Sequence, residues 1–125
     1  MKWVYLLGGG LVGTAGRYTI SSAMARLSQP FPYHTLAVNT AGCLIAGFII
    51  GLTDRAGAMA FEARMFWMTG LLGAFTTFSA LIIETWRLLQ DGQLALAGTN
   101  LIGSAAAGLF ALWLGARAAS IIPGS

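Results

Sequence analysis

Four long apolar stretches, each closed off by charged or turn-forming residues, constrain this chain more than any other feature. An ionised side chain near the centre of a bilayer costs about 2.5–3.5 kcal/mol on insertion scales, so charges collect where apolar stretches end. On that criterion the spans fall near Trp3–Arg26, Leu36–Thr53, Arg64–Leu89 and Leu94–Arg117. One crossing takes about 20 predominantly apolar residues to bridge a hydrocarbon core of about 30 Å. In a chain of 125 residues, four crossings with short connections use nearly everything, so 1–125 reads as a single four-helix transmembrane unit. Composition agrees: 9% of residues are charged, against roughly 25% in a soluble domain. The expected fold class is all-α integral membrane.

The connections carry turn chemistry at Gln29-Pro30-Phe31-Pro32 and at Asp91-Gly92, while the segment from Asp54 to Glu62 mixes both charge signs. The first apolar stretch differs from a secretory signal because Arg17 lies inside it and no small-residue cleavage pattern follows a short apolar core. Cys43 is the only cysteine, so an intrachain disulfide and a multi-cysteine metal site are both excluded. It reads as a small packed hydrophobe.

Four spans place both termini and the second-to-third connection on one side. Lys2, Arg55, Arg64 and Arg117 would lie there, against Arg26, Arg87 and the membrane-buried Arg17 on the other, a tally of four to three. Orientation normally follows a clear lysine and arginine excess, so this near balance is compatible with insertion both ways up. Two oppositely inserted copies can pack about a two-fold axis in the membrane plane. The spacings Gly9/Gly13 and Gly47/Gly51 would let helix backbones approach closely.

Polar groups within apolar spans are where chemistry is expected. The cluster from Gly8 to Gly16 lacks the preceding strand and following acid of a dinucleotide site, and helix packing accounts for it. Arg17 must find a carboxylate, backbone carbonyls or a wet cavity, or else snorkel to the interface; facing a vestibule, it would attract anions. Asn39 can offer amide hydrogens to a dehydrated anion or tie two helices together. His34, at a span entrance, reads as a solvated interfacial residue.

The run Gly70-Leu71-Leu72-Gly73-Ala74-Phe75-Thr76-Thr77-Phe78-Ser79 sits mid-span, where glycine and threonine can interrupt an α-helix and expose backbone groups. Such backbone persists only when buried in protein or lining a cavity. An intact helix with back-bonded threonines is the alternative. Phe78 is either a packing residue or a ring whose positive edge lines an anion path. Glu84 is either a pore-mouth carboxylate or an interfacial one. Asn100 and Ser104, four apart, share one helix face as a polar track or as packing glue.

These stretches resemble the Fluc/CrcB family of small bacterial fluoride channels over essentially the whole chain. The resemblance rests on a Gly-Gly-x-x-Gly stretch followed by Arg17-Tyr18, on Thr35 to Gly42, on Thr69 to Gly73 leading into Thr76-Thr77-Phe78-Ser79 and Glu84, and on Asn100 to Ser104. It implies a dual-topology, antiparallel homodimer in the bacterial inner membrane, with the third helix broken mid-membrane and two fluoride pores. Gly73 and Thr76 match the break, whose backbone carbonyls from both subunits hold a structural Na+ at the dimer interface. Asn39 matches the pore asparagine, Phe78 the first pore phenylalanine, and Ser79 and Ser104 polar pathway positions. Arg17 matches a vestibule arginine and Glu84 a glutamate near the pore. Leu81 stands in place of a second pore phenylalanine, Ala80 in place of a threonine, and His34 where glycine is usual.

The implied activity is passive fluoride export that protects against fluoride toxicity, with no catalytic residue. A small multidrug exporter also has four short spans, but it needs a carboxylate in the first span, where this chain has Arg17. A structural membrane subunit would explain the glycines and leave the polar mid-span run without a purpose.

Overall fold

The computed structural model describes residues 1–27, 31–56 and 61–122, and every regular element among them is helical. Helix α1 spans Lys2–Ala23 and ends in a short 3-10 turn, Ala25–Leu27. Helix α2 spans Tyr33–Ala56. The third helical path, α3, covers Phe61–Gln90. Helix α4 spans Leu94–Ile121. Of these, Tyr33–Asp54, Phe61–Gln90 and Leu94–Ile121 are long and apolar enough to cross a membrane, which makes this a multi-pass membrane protein. Of the expected connections, Gln29 and Pro30 and residues 57–60 lie outside the described residues, whereas Gly92 takes φ +75 in the turn between α3 and α4. That backbone conformation suits glycine, which has no Cβ to clash.

Two helix pairs make up the bundle, with α2 packing along α4 and α1 along the first part of α3. Glycine is the reason both pairs can close. A Cβ at Gly9 would collide with the backbone of Phe66 and Leu71, and one at Gly13 with the Leu71 carbonyl. On the other pair, a Cβ at Gly47 would strike the Leu112 backbone, one at Gly51 would meet Ala116 and Ala119, and one at Gly115 would strike the Leu44 carbonyl. Both glycine spacings expected to bring helices together thus do so, by backbone-to-backbone contact that lipid-embedded helices use in place of a hydrophobic driving force.

The path of α3 is irregular in two places. Met65–Leu72 is wound as a π-helix, and the α-helical turn Gly73–Phe75 follows it. Thr76 (φ -88, ψ 157) and Thr77 (φ -151, ψ 118) are then extended, and an α-helix resumes at Phe78–Gln90. Thr77 caps this second part: its hydroxyl accepts the Ala80 N–H at 3.2 Å, as a threonine N-cap does for an otherwise orphaned donor. The second part buries Leu81, Thr85 and Leu88. Large apolar side chains elsewhere, including Leu11, Leu109 and Trp113, remain exposed on the outside of the bundle, as a lipid-facing surface requires.

Candidate functional site

The extended pair Thr76-Thr77 sets the geometry of the site, because it takes backbone groups out of the helical ladder at the point where α2 passes. Asn39 on α2 meets it with its whole side-chain amide. Its Oδ1 accepts the Thr77 N–H at 2.8 Å, and its Nδ2 donates to the Thr77 carbonyl at 3.0 Å. These partners fix which way the amide points, and one hydrogen of the NH2 group is left over. Thr76 turns its hydroxyl back onto the Leu72 carbonyl at 2.8 Å, the same oxygen that accepts the Thr76 N–H at 3.0 Å. Since the Thr77 N–H is given to Asn39, the Gly73 carbonyl is deprived of the donor a continuous helix would supply four residues on.

On one side of this junction lies a cavity of about 170 Å³ lined by Arg17 and Ser21 of α1, His34, Thr35 and Val38 of α2, and Thr77, Ala80 and Glu84 of α3. Glu84 is its centre. One carboxylate oxygen, Oε2, accepts the Thr35 hydroxyl at 2.6 Å and lies 3.1 Å from His34 Nε2. The other, Oε1, is buried without a hydrogen-bond partner, as is Arg17 Nε. Arg17 thus faces a polar cavity that also holds a carboxylate, the environment an intramembrane guanidinium needs.

On the other side opens a groove of about 780 Å³, whose lining includes Asn39, Gly73, Thr76, Phe78, Leu81 and Ser104. Gly73 is exposed there, and Phe78 stands 71% exposed, its ring standing clear of the packed interior. Leu81, by contrast, is buried. The Ser104 hydroxyl is buried without a partner. The Ser79 hydroxyl lies 3.3 Å from that of Thr77.

Asn100 stands apart from both openings. It is fully buried, and its Nδ2 donates at 3.0 Å to Thr85, whose hydroxyl passes on to the Leu81 carbonyl at 2.8 Å. That chain joins α4 to the second part of α3. Of the residues singled out by sequence, then, Arg17 and Glu84 meet in the cavity, and Asn39, Gly73, Thr76, Phe78 and Ser104 meet in the groove. Thr35 and Thr77 entered the sequence reading only as members of longer stretches and Ser21 not at all, although spacing carried a signal. Thr35 lies four residues before Asn39 and Ser21 four after Arg17, each pair on one helix face. His34 was read as merely solvated, and its approach to Glu84 comes from the packing of α2 against α3.

A multi-pass helical bundle whose polar side chains gather around the Thr76-Thr77 segment defines the class as a small helical membrane protein. The chain belongs to the CrcB family: the family model described as CrcB-like protein, Camphor Resistance (CrcB), matches residues 4–116. The fluoride-specific ion channel FluC of Opitutus terrae is 43% identical over 120 residues, covering 94% of this chain and 91% of its own. FluC of Methylobacillus flagellatus is 40% identical over 109 residues, with 86% and 85% covered. FluC of Paramagnetospirillum magneticum is 42% identical over 117 residues, with 91% of each chain covered.

Proposed function

We propose that this chain is the subunit of a fluoride-selective channel that lets fluoride leave the cytoplasm passively and so protects the cell from it. The observation that carries the reading is a near full-length match to relatives named fluoride-specific channels, over a chain whose polar groups line the two openings flanking Thr76-Thr77. It is a channel and not an enzyme.

Fluoride is small and strongly hydrated, so a narrow path must replace its water with donors. Arg17 draws the anion to the mouth. Hydroxyls of Ser79 and Ser104 and the spare Asn39 amide hydrogen then offer donors in turn, and the Phe78 ring contributes its positive edge. The helix N-terminus that begins after Thr77 adds a favourable dipole. Glu84 tempers the attraction, because conduction requires release as well as entry. Asn100 supports the path by holding α4 on α3. A negative-inside potential worth about 2.3 kcal/mol per charge per 100 mV drives fluoride outward without nucleotide or proton coupling.

The functional unit on this reading is an antiparallel homodimer in the bacterial inner membrane, with α1 as the fourth span and the Thr76-Thr77 interruption at mid-membrane depth. The groove supports this, since the exposed Gly73 backbone and Thr76 on an open face would meet lipid in a lone subunit. A structural Na+ fits the same residues. The Gly73 carbonyl lacks its helical donor, and neutral backbone oxygens at an unwound segment suit that cation. Gly73 and Thr76 of each copy would hold it, and the ion would supply fixed positive charge that ties the two interruptions together.

Fluoride efflux from liposomes containing the purified protein tests the function, read by electrode after valinomycin releases the potassium counter-current, with chloride as control. Rapid fluoride loss with chloride retained is expected. Retention of both ions by well-folded protein would overturn the reading.

A further inference from the structure

His34 is the chain's single histidine, and it is positioned where a change of its charge would act on anion entry. Its Nε2 lies 3.1 Å from Glu84 Oε2, and the two side chains are 30% and 17% exposed. The same oxygen accepts the Thr35 hydroxyl, so Oε2 is engaged by two neighbours from α2 while Oε1 has none. The charged groups around the cavity are few. Arg17 comes from α1, His34 from α2 and Glu84 from α3, and α4 contributes no lining residue. Arg26, on the 3-10 turn, and Arg87, three residues past Glu84, are exposed and line no part of the cavity.

From these contacts we propose that His34 is a proton-responsive positioning residue, which makes fluoride entry faster as the medium becomes more acidic. The inference rests on the channel reading above. With His34 neutral, Arg17 and Glu84 cancel and the cavity carries no net charge. A proton on His34 makes it net positive and turns the contact with Oε2 into an ion pair, which screens the carboxylate from an arriving anion. Both effects favour the anion, and a cleft of one charge sign concentrates its counter-ion. Imidazole is the side chain whose charge changes between about pH 5 and pH 8.

The test is fluoride efflux from liposomes with the same pH on both sides, stepped across about pH 5 to pH 8, for the native protein and for His34→Gln. The native protein is expected to pass fluoride several-fold faster at the acidic end, and His34→Gln to lose that enhancement while still passing fluoride. Because the chain has one histidine, its imidazole gives one resolvable NMR titration, whose midpoint is expected to coincide with that of the flux. Flux that is flat with pH in the native protein, an acid enhancement that survives in His34→Gln, or a flux midpoint away from that of the imidazole would each overturn the proposal. Absence of fluoride flux at every pH, by contrast, would overturn the channel reading itself and this proposal with it.

Discussion

Asn39 makes the clearest case at the scale of single residues, because its Oδ1 takes up the Thr77 N–H that the extended segment left without a helical acceptor, and its Nδ2 adds a bond to the Thr77 carbonyl. Removing it in Asn39→Ala leaves the Thr77 N–H unpaired, at about 1–3 kcal/mol for a buried donor. The expected outcome is a lowered thermal midpoint together with reduced fluoride efflux. Asn39→Asp keeps an acceptor for the N–H but sets a carboxylate oxygen against the Thr77 carbonyl, and is expected to be at least as damaging. Phe78→Ala should separate the two effects. Its ring is 71% exposed in the subunit, so little internal packing is lost; efflux should fall with the melting temperature of the subunit fold nearly unchanged. Efflux unchanged in both Asn39→Ala and Phe78→Ala would sink their assignment to the path. Arg17, Asn39, Phe78 and Glu84 were all visible in sequence as polar or aromatic interruptions of apolar runs. The acceptor that Glu84 shares between His34 and Thr35 was not, because those residues lie about fifty positions away along the chain.

Helix α1 shows at the scale of elements how finely the packing discriminates. Gly9 is pressed against the Phe66 and Leu71 backbone, whereas a Cβ at the adjacent Gly10 would meet nothing within 4 Å. Gly9→Ala is therefore expected to push α1 off α3, at about 1–3 kcal/mol or more, as overpacking does. Gly10→Ala should be neutral or stabilising by about 0.5–1 kcal/mol through helix propensity. Thermal unfolding of the two variants in detergent would show the contrast, and equal behaviour would refute the close approach. The glycine spacing that predicts this contact is local and hence legible. The π-helical winding of Met65–Leu72 is a different matter, since it coincides with the stretch that Gly9 and Gly13 press upon. No pattern within α3 announces it.

At the scale of the whole molecule, the open groove decides what can be expected of assembly. Its polar members on an otherwise apolar face are costly against lipid, so a second copy covering it is the expected state. Native mass spectrometry from detergent should give twice the subunit mass. Purification with sodium replaced by a large organic cation should weaken the dimer and slow efflux, because the Gly73 and Thr76 carbonyls would lose the charge proposed to join them. A monomer that conducts fluoride without sodium would contradict both expectations.

The four apolar stretches, the turn at Asp91-Gly92, the packing glycines and the polar candidates were determined by the sequence alone. The reason is that partition into lipid and turn propensity are local, nearly additive properties of composition. Only the tertiary structure decided that Asn39 pairs with the Thr77 backbone, that His34 and Thr35 share Glu84 Oε2, and that Asn100 turns to Thr85 and away from both openings. Those choices depend on how each helix is rotated and which neighbour it meets, and that is settled by backbone approach between segments distant in the chain.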